Sequence, residues 1–320
     1  MLKHALAVAA TLILTVLPAR AADKISAGAV GGPTGTMWLF YVGFDKGFLA
    51  QHGVALDLIF APTAPGILQQ LTAGSLDIVA TTGVVEPIHA IEKGASNVAI
   101  ARIIGQNSPY SIEAKSSIGS LKDLKGKTIA LGGLVDVTAI YWNKMAAANG
   151  LKPGDVDIIV IGATGGRFAA LKSGTIDATM VLPPFSFKAE AEGFKNLGLV
   201  YDYVKDFPFT GLEVSRPWAS AHMDLAKRLL AALDESAAWF YVPGNRDELI
   251  KMGMKNFNVD EQEATLSLDF LRKIQYFAPT SKVPKKSIET LVKVMRDAGD
   301  VSKPITAAEL AMPGLTELTE

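Results

Sequence analysis

The sequence predicts an α/β protein of two Rossmann-like lobes, joined by a two-stranded hinge and followed by a helical C-terminal tail. Three observations support this fold class. A strand–helix–strand–helix–strand order is written twice, a short motif recurs 100 residues apart, and the pattern turns helical after residue 220. Strands that alternate with helices are typical of a parallel sheet covered by helices. The 320 residues leave room for two such units.

The first 21 residues have the pattern of a secretory signal peptide. Lys3 and His4 precede an apolar run over residues 5–17, and Ala-Arg-Ala at residues 19–21 forms a cleavage site. The run of 13 residues is too short to cross, as a helix, a hydrocarbon core of ~30 Å. We therefore expect residues 1–21 to be removed and the mature chain to be free in the periplasm.

The first unit begins after this segment. A strand over 24–30 precedes a Gly-rich turn and a helix over 36–51, and a second strand follows at 56–60. A short helix that ends at Gly74 precedes a third strand over 78–81. This order predicts one parallel sheet.

The second unit repeats the first. Strands over 127–131, 156–161 and 178–182 alternate with a helix over 137–149 and a short helix that ends at Gly174. The two short helices carry the recurring motif, GILQQLTAGSLDI at 66–78 and GRFAALKSGTIDA at 166–178. Its aspartates, Asp77 and Asp177, precede the third strands, where a local turn role is expected for them. Two like units predict two lobes with a cleft between them.

The remaining segments connect and cover these units. We expect the chain to cross between the lobes at 105–110 and to return at 206–211, which assigns residues 22–106 plus 208–320 to the first lobe and 107–207 to the second. Helices near 225–237, 246–256, 260–275 and 285–297 form the tail.

Composition and motifs exclude several classes of function. A formal charge of −1 argues against a nucleic-acid binder, and the absence of cysteine excludes disulfide scaffolds, thiolate metal sites and cysteine nucleophiles. The four histidines lack ligand-like spacing, and no G-x-S-x-G elbow is present. We therefore expect a monomer with no metal, no cofactor and no catalytic residues.

Two segments resemble a known family. The run LKDLKGKTIA at 121–130 is similar to the motif that opens the second lobe of type 2 periplasmic solute-binding proteins, and GFDKGF at 43–48 with HGV at 52–54 resembles their first helix and second strand. The chain is most similar to the group that binds nitrate, sulfonates, taurine and thiamine-pyrimidine precursors for ABC importers. The resemblance implies a small anion or polar heterocycle as ligand and an ABC permease in the inner membrane as partner.

The loops after the strands are the expected ligand site, because ligands of such folds bind beyond the carboxyl ends of parallel strands. Free N–H groups at helix N-termini and threonine hydroxyls suit an anion, and Trp38, Tyr110 and Phe185 suggest apolar walls. The Arg167 guanidinium either binds two oxygens of an anion or is a solvated group on a helix. Glu86 is interpreted as an acidic residue in the first turn of a helix, where its charge complements the helix dipole. The predicted ligand-binding residues are Thr36, Trp38, Thr81, Thr82, Tyr110, Asp136, Val137, Thr138, Arg167 and Phe185.

The sequence predicts a binding protein that captures a small organic ligand by hinge closure and makes or breaks no bond. Two alternatives stay open. A sensory protein would present its ligand to a membrane receptor. An enzyme similar to thiamine-pyrimidine synthases would share the layout, but those carry a cysteine-rich motif that this chain lacks.

Overall fold

The computed structural model describes residues 22–205 and 207–320 and contains two five-stranded sheets and a two-stranded one. The signal-peptide interpretation concerns residues outside this range. The strands are β1 (Asp23–Val30), β2 (Val54–Ala61), β3 (Ile78–Gly83), β4 (Val98–Gly105), β5 (Ser111–Ala114), β6 (Thr128–Leu131), β7 (Asp157–Val160), β8 (Ala178–Val181), β9 (Lys195–Leu199), β10 (Thr210–Ser215), β11 (Lys282–Pro284) and β12 (Glu317–Thr319).

Helices cover the sheets and form most of the chain after β10. They are α1 (Trp38–Asp45), α2 (Phe48–Gln51), α3 (Ala64–Thr72), α4 (Val85–Glu92), α5 (Val137–Ala148), α6 (Thr164–Lys172), α7 (Phe185–Ala191), α8 (Val200–Tyr203), α9 (Arg216–Ala221), α10 (Met223–Tyr241), α11 (Arg246–Phe257), α12 (Glu261–Lys273), α13 (Lys285–Asp297) and α14 (Ala307–Leu310). In the described part of the chain, no helix combines the length and the apolar content needed to cross a membrane. The predicted fold class, two α/β lobes with a helical C-terminal region, is confirmed.

The two large sheets have the same internal order. The first runs β2-β1-β3-β10-β4 and the second β7-β6-β8-β5-β9. In each, three parallel strands come from one strand–helix–strand–helix–strand unit, and the next strand is antiparallel to its neighbours. That antiparallel strand is the first one after the chain crosses from the other sheet, β5 in the second lobe and β10 in the first. The sequence patterns predicted the parallel strands but not these insertions.

The repeated aspartates hold equivalent positions in the two lobes. The Asp77 Oδ2 accepts a hydrogen bond of 2.8 Å from the Ser26 N–H, and the Asp177 Oδ2 accepts one of 3.0 Å from the Thr128 N–H. Each aspartate also donates its own N–H to the carbonyl of the same partner. Each carboxylate therefore joins the third strand of its unit to the first strand.

The helical tail covers the first lobe and buries Trp38. This indole is 0% exposed and packs edge-to-face on Phe257 at 5.0 Å and on Phe240 at 6.1 Å between ring centroids. A Cβ at Gly253 would lie 2.7 Å from the Trp38 ring, so α11 can pack this closely only because it has a glycine there. Trp38 is thus a core residue under the tail.

The second lobe also touches the tail through α7. Phe187 packs against Phe270 of α12 with ring centroids 6.1 Å apart, and the Lys188 Nζ donates to the carbonyl of Asn258 at 3.2 Å. The lobes are therefore connected by this contact as well as by the two crossings.

Two buried glutamates occupy equivalent positions on the inserted strands. Glu113 on β5 pairs with Thr179, and Glu213 on β10 pairs with Val79. The two glutamates are 100 residues apart in the chain, and so are their two partners. Both side chains are 0% exposed, and burial raises the pKa of each to about 8. Ser111 lowers the pKa of Glu113 in part by donating a hydrogen bond of 2.6 Å.

These glutamates predict a pH-dependent stability. Their ordinary pKa is 4.5, so between pH 4.5 and about 8 the folded chain holds protons that the unfolded chain has lost. The free energy of unfolding should therefore fall as pH rises through this window, by up to about 1.4 kcal/mol per pH unit for each group. Urea unfolding between pH 5 and 8.5 measures this slope. Glu113→Gln and Glu213→Gln should flatten it, and slopes equal to that of the wild type would contradict the assignment.

Candidate ligand-binding site

A cleft of about 1200 Å³ lies between the two large sheets and is lined by both lobes. Its walls are the loops that follow the parallel strands, where helices begin. In the first lobe these segments are 30–36, 60–65 and 81–86, and in the second 132–137, 162–167 and 182–185. The cleft therefore lies at the carboxyl ends of the strands of both sheets, the usual ligand position in open α/β folds.

Glycines allow the two rims to approach closely. A Cβ at Gly162 in the second lobe would lie 2.6 Å from the carbonyl oxygen of Pro62 in the first. Gly31 faces Ala163 in the same way, and the Gly35 N–H donates to the carbonyl of Pro183 at 3.0 Å. The lobes thus meet through backbone contacts beside the cleft.

The structure brings most of the predicted site residues together. Thr36, Thr81, Thr82, Tyr110, Asp136, Val137, Arg167 and Phe185 all line the cleft. The expectation that Trp38 forms an apolar wall is corrected, because the turn at Gly35–Met37 directs this residue into the core under the tail. Thr138 is likewise outside the lining. Its Oγ1 donates to the Asp136 Oδ1 and accepts from the Gly132 N–H at 2.9 Å, so it orders the loop beneath the rim.

Arg167 is neither solvated nor free to bind an anion. It is 1% exposed, and all five of its guanidinium N–H groups are used within the protein. The Nε donates to the Met180 carbonyl at 2.9 Å, and the Nη1 donates to the carbonyls of Ile161 and Gly162. The Nη2 donates to the hydroxyls of Thr164 at 3.0 Å and Tyr110 at 3.4 Å. Arg167 therefore joins β8, the loop after β7 and the first crossing into one rim.

Asp136 begins α5 and faces the cleft. Its Oδ1 accepts from the N–H groups of Thr138 at 2.9 Å and Ala139 at 3.3 Å, so it caps the helix. All the hydrogen bonds that Asp136 accepts from described residues go to this oxygen. Burial raises the pKa of Asp136, and the bond from Thr138 and the charge of Arg167 oppose that rise. A Cβ at Gly132 would lie within 3.1 Å of both the Asp136 Oδ2 and the Arg167 Nη1, so these two atoms are neighbours.

Glu86 is a site residue that sequence reasoning missed. It lies in the first turn of α4, as expected, but it is 5% exposed and lines the cleft. Its Oε2 has no hydrogen-bond partner among the described residues. Gly83 leaves room for it, because a Cβ there would lie 2.5 Å from this oxygen. Burial and the nearby charge of Asp136 raise the pKa of Glu86 well above 4.5.

Aromatic and apolar side chains complete the walls. Tyr110 packs edge-to-face on Phe209 at 5.3 Å between centroids, and Phe185 packs on Phe168 at 5.5 Å. Phe60 and Val160 line the outer part of the cleft and are partly exposed. No cluster of His, Asp or Glu suited to a metal ion occurs within 22–205 and 207–320. The cleft therefore has apolar walls, and carboxyl groups belong to its lining.

A comparison with known families decides the chain's relationship. The model described as "NMT1/THI5 like" matches residues 36–244. This chain belongs to the NMT1/THI5-like family. The matched region contains the whole second lobe and most of the cleft lining. No curated protein matches this member of the family.

Solved structures share the fold at low identity. The alkanesulfonate-binding protein SsuA from Xanthomonas axonopodis pv. citri, bound to MOPS, gives a TM-score of 0.73 at 17% identity over 92% of this chain and 98% of that one. The aliphatic sulphonate-binding protein SsuA from Escherichia coli gives 0.69 at 18% identity, with 92% and 98% covered. The nitrate-binding protein NrtA from Synechocystis PCC 6803 gives 0.65 at 17% identity, with 75% and 68% covered. The NMT1/THI5-like chain thus has the periplasmic-binding-protein fold, and the resemblance seen in the sequence is confirmed.

The hydrogen bonds of Arg167 predict that replacing this residue destabilises the fold. Arg167→Met should lower the free energy of unfolding by about 2–4 kcal/mol, because buried carbonyl oxygens lose their donors. Lys172→Met on the same helix is the matched control, because its ion pair with Glu192 is exposed and should contribute less than about 1 kcal/mol. Urea unfolding of both variants measures the difference. Equal losses in the two variants would contradict the structural role of Arg167.

Proposed function

We propose that this protein is an extracytoplasmic solute-binding protein that captures a small organic ligand and delivers it to an ABC permease in the inner membrane. The cleft carries this proposal. It is formed jointly by two α/β lobes and lined by the strand ends of both. Membership of the NMT1/THI5-like family and the fold shared with sulfonate- and nitrate-binding periplasmic proteins support it.

Capture proceeds by closure of the lobes on the ligand. The first lobe comprises residues 22–106 plus 208–320 and the second 107–207, and the crossings near 105–110 and 206–211 are the hinge. Contacts that form only when both rims touch the same ligand stabilise the closed state. The cleft-lining members of the predicted set supply these contacts from both lobes.

The polar groups of the cleft support binding rather than catalysis. Arg167 uses its N–H groups within the protein and Asp136 caps a helix, so both have holding roles. The cysteine-dependent chemistry of the enzyme alternative has no residue to use, because the chain contains no cysteine. A sensory role would use the same cleft with a receptor in place of the permease.

Gly162 provides a test of closure. In Gly162→Ala the added Cβ would meet the Pro62 carbonyl across the rims, so the closed state should be disfavoured. We expect a larger radius of gyration in small-angle scattering and at least tenfold weaker binding of a ligand found by a thermal-shift screen of small organic compounds. Gly244→Ala is the control, because nothing lies within 4 Å of its Cβ position.

Two results would count against hinge closure. One is a saturating ligand that leaves the scattering of the wild type unchanged. The other is a Gly162→Ala variant that binds and compacts as the wild type does. Stimulation of a reconstituted permease by the loaded protein then separates import from sensing.

A further inference from the structure

We propose that the cleft selects a small planar organic cation that carries N–H donors, of the amidinium type, and that Glu86 and Asp136 bind its nitrogens. This inference rests on the proposed function and specifies the ligand class of the same site. It differs from the anions that the sulfonate- and nitrate-binding structures are named for.

The described cleft lining contains three acidic residues. Glu86, Asp136 and Asp300 all line it. Each cationic lining residue is bonded within the protein or exposed. Arg167 has no N–H group left for a ligand, and Lys93 lies exposed at the end of α4. His89 is the third of these cationic residues, and its Nε2 lies 2.8 Å from the Asp300 Oδ2.

Two of the helix N-termini that open onto the cleft, those of α5 and α3, are capped by side chains of the protein. The first N–H groups of α5 bind the Asp136 carboxylate, and the Gly66 N–H of α3 binds the Thr63 hydroxyl at 3.3 Å. At α5 and α3, N–H donors that could stabilise a bound anion are therefore used by the protein itself.

Two side chains of the described cleft lining have a buried oxygen without a hydrogen-bond partner, Glu86 and Thr82. Glu86 is the carboxyl group of the two. Its carboxyl is buried on the cleft floor with an unbonded Oε2, a state that costs free energy until a donor arrives. Asp136 lines the same cleft from the opposite lobe. A planar cation with two N–H edges can bind a carboxylate from each lobe, and only the closed cleft brings both to it. Tyr110, Phe185 and Phe209 provide apolar faces for its body.

Binding of a cation should favour the ionised form of Glu86, whose pKa is raised by burial in the empty cleft. Affinity should then rise with pH, by up to about tenfold per unit below the Glu86 pKa, and level off above it. The charged and titratable groups that face Glu86 are Asp136 from the β6–α5 loop, Glu213 from β10, Asp300 from the segment after α13, and His89 from α4, which is paired with Asp300.

The test compares three probes of similar size by calorimetry on the mature chain at pH 5 to 8. They are benzamidine, neutral benzamide and benzenesulfonate, each up to millimolar concentration. We expect benzamidine to bind at least tenfold more tightly than the other two, with an affinity that rises with pH. Glu86→Gln should remove most of this preference and the pH dependence.

Matched variants separate charge from folding. Asp136→Asn removes the charge but keeps a residue type that caps helices well. It should weaken the binding of benzamidine at least threefold. Glu261→Gln removes an exposed first-turn acid of α12 outside the cleft and should change nothing. Thermal unfolding of each variant shows that the fold is retained.

Failure of this inference differs from failure of the proposed function. Tighter binding of benzenesulfonate, with Glu86→Gln without effect, would overturn the cationic ligand class while leaving capture by closure in place. Absence of benzamidine binding at millimolar concentration would also overturn it. Capture itself fails only if no compound of the screen both binds and compacts the lobes.

Discussion

The structure depends on one constraint: the parallel strands of both sheets end at the same cleft. Each strand end leads through a short loop into a helix N-terminus, so polar loop residues from two lobes converge there. The repeated aspartates, Asp77 and Asp177, fix the third strand to the first in each lobe and so set the level at which those loops leave the sheets. The site is consequently a property of the duplicated unit, and its chemistry is set by a few side chains on it.

Local patterns in the sequence predict the duplicated unit but not the exchange of strands between lobes. Alternating apolar runs and the L-x-x-G-x-x-D repeat predict β1 to β3 and β6 to β8 close to their observed bounds. The antiparallel strands β5 and β10 follow a crossing and pair with segments far away in the chain, so no local period marks their partners. Trp38 illustrates the same limit. Its place after a Gly-rich turn suggests a cleft residue, whereas the turn directs it under α10 and α11, which the local pattern cannot position.

The charged residues of the cleft have roles that their residue types alone do not reveal. Arg167 and Glu86 have roles opposite to those their types suggest, because hydrogen-bond saturation decides which charge a ligand can meet. The arginine is surrounded by carbonyl and hydroxyl oxygens from three segments, and the glutamate by apolar surface and other acids. A first-turn glutamate next to Gly83 and Pro87 is the signal that could have suggested a carboxyl folded back into the site. Its burial becomes evident only from the packing of both lobes.

The contact between α7 and the tail has a consequence for how this protein can change. The same short helix presents Phe185 to the cleft and packs Phe187 on Phe270 of α12, on the far side from the ligand. Under the proposed hinge closure, movement of the lobes must shift that aromatic pair and the neighbouring bond from Lys188 to Asn258. Natural drift or laboratory selection in α12 can therefore retune affinity while every cleft residue stays the same. Libraries that randomise the cleft alone would leave this second set of affinity determinants unsampled.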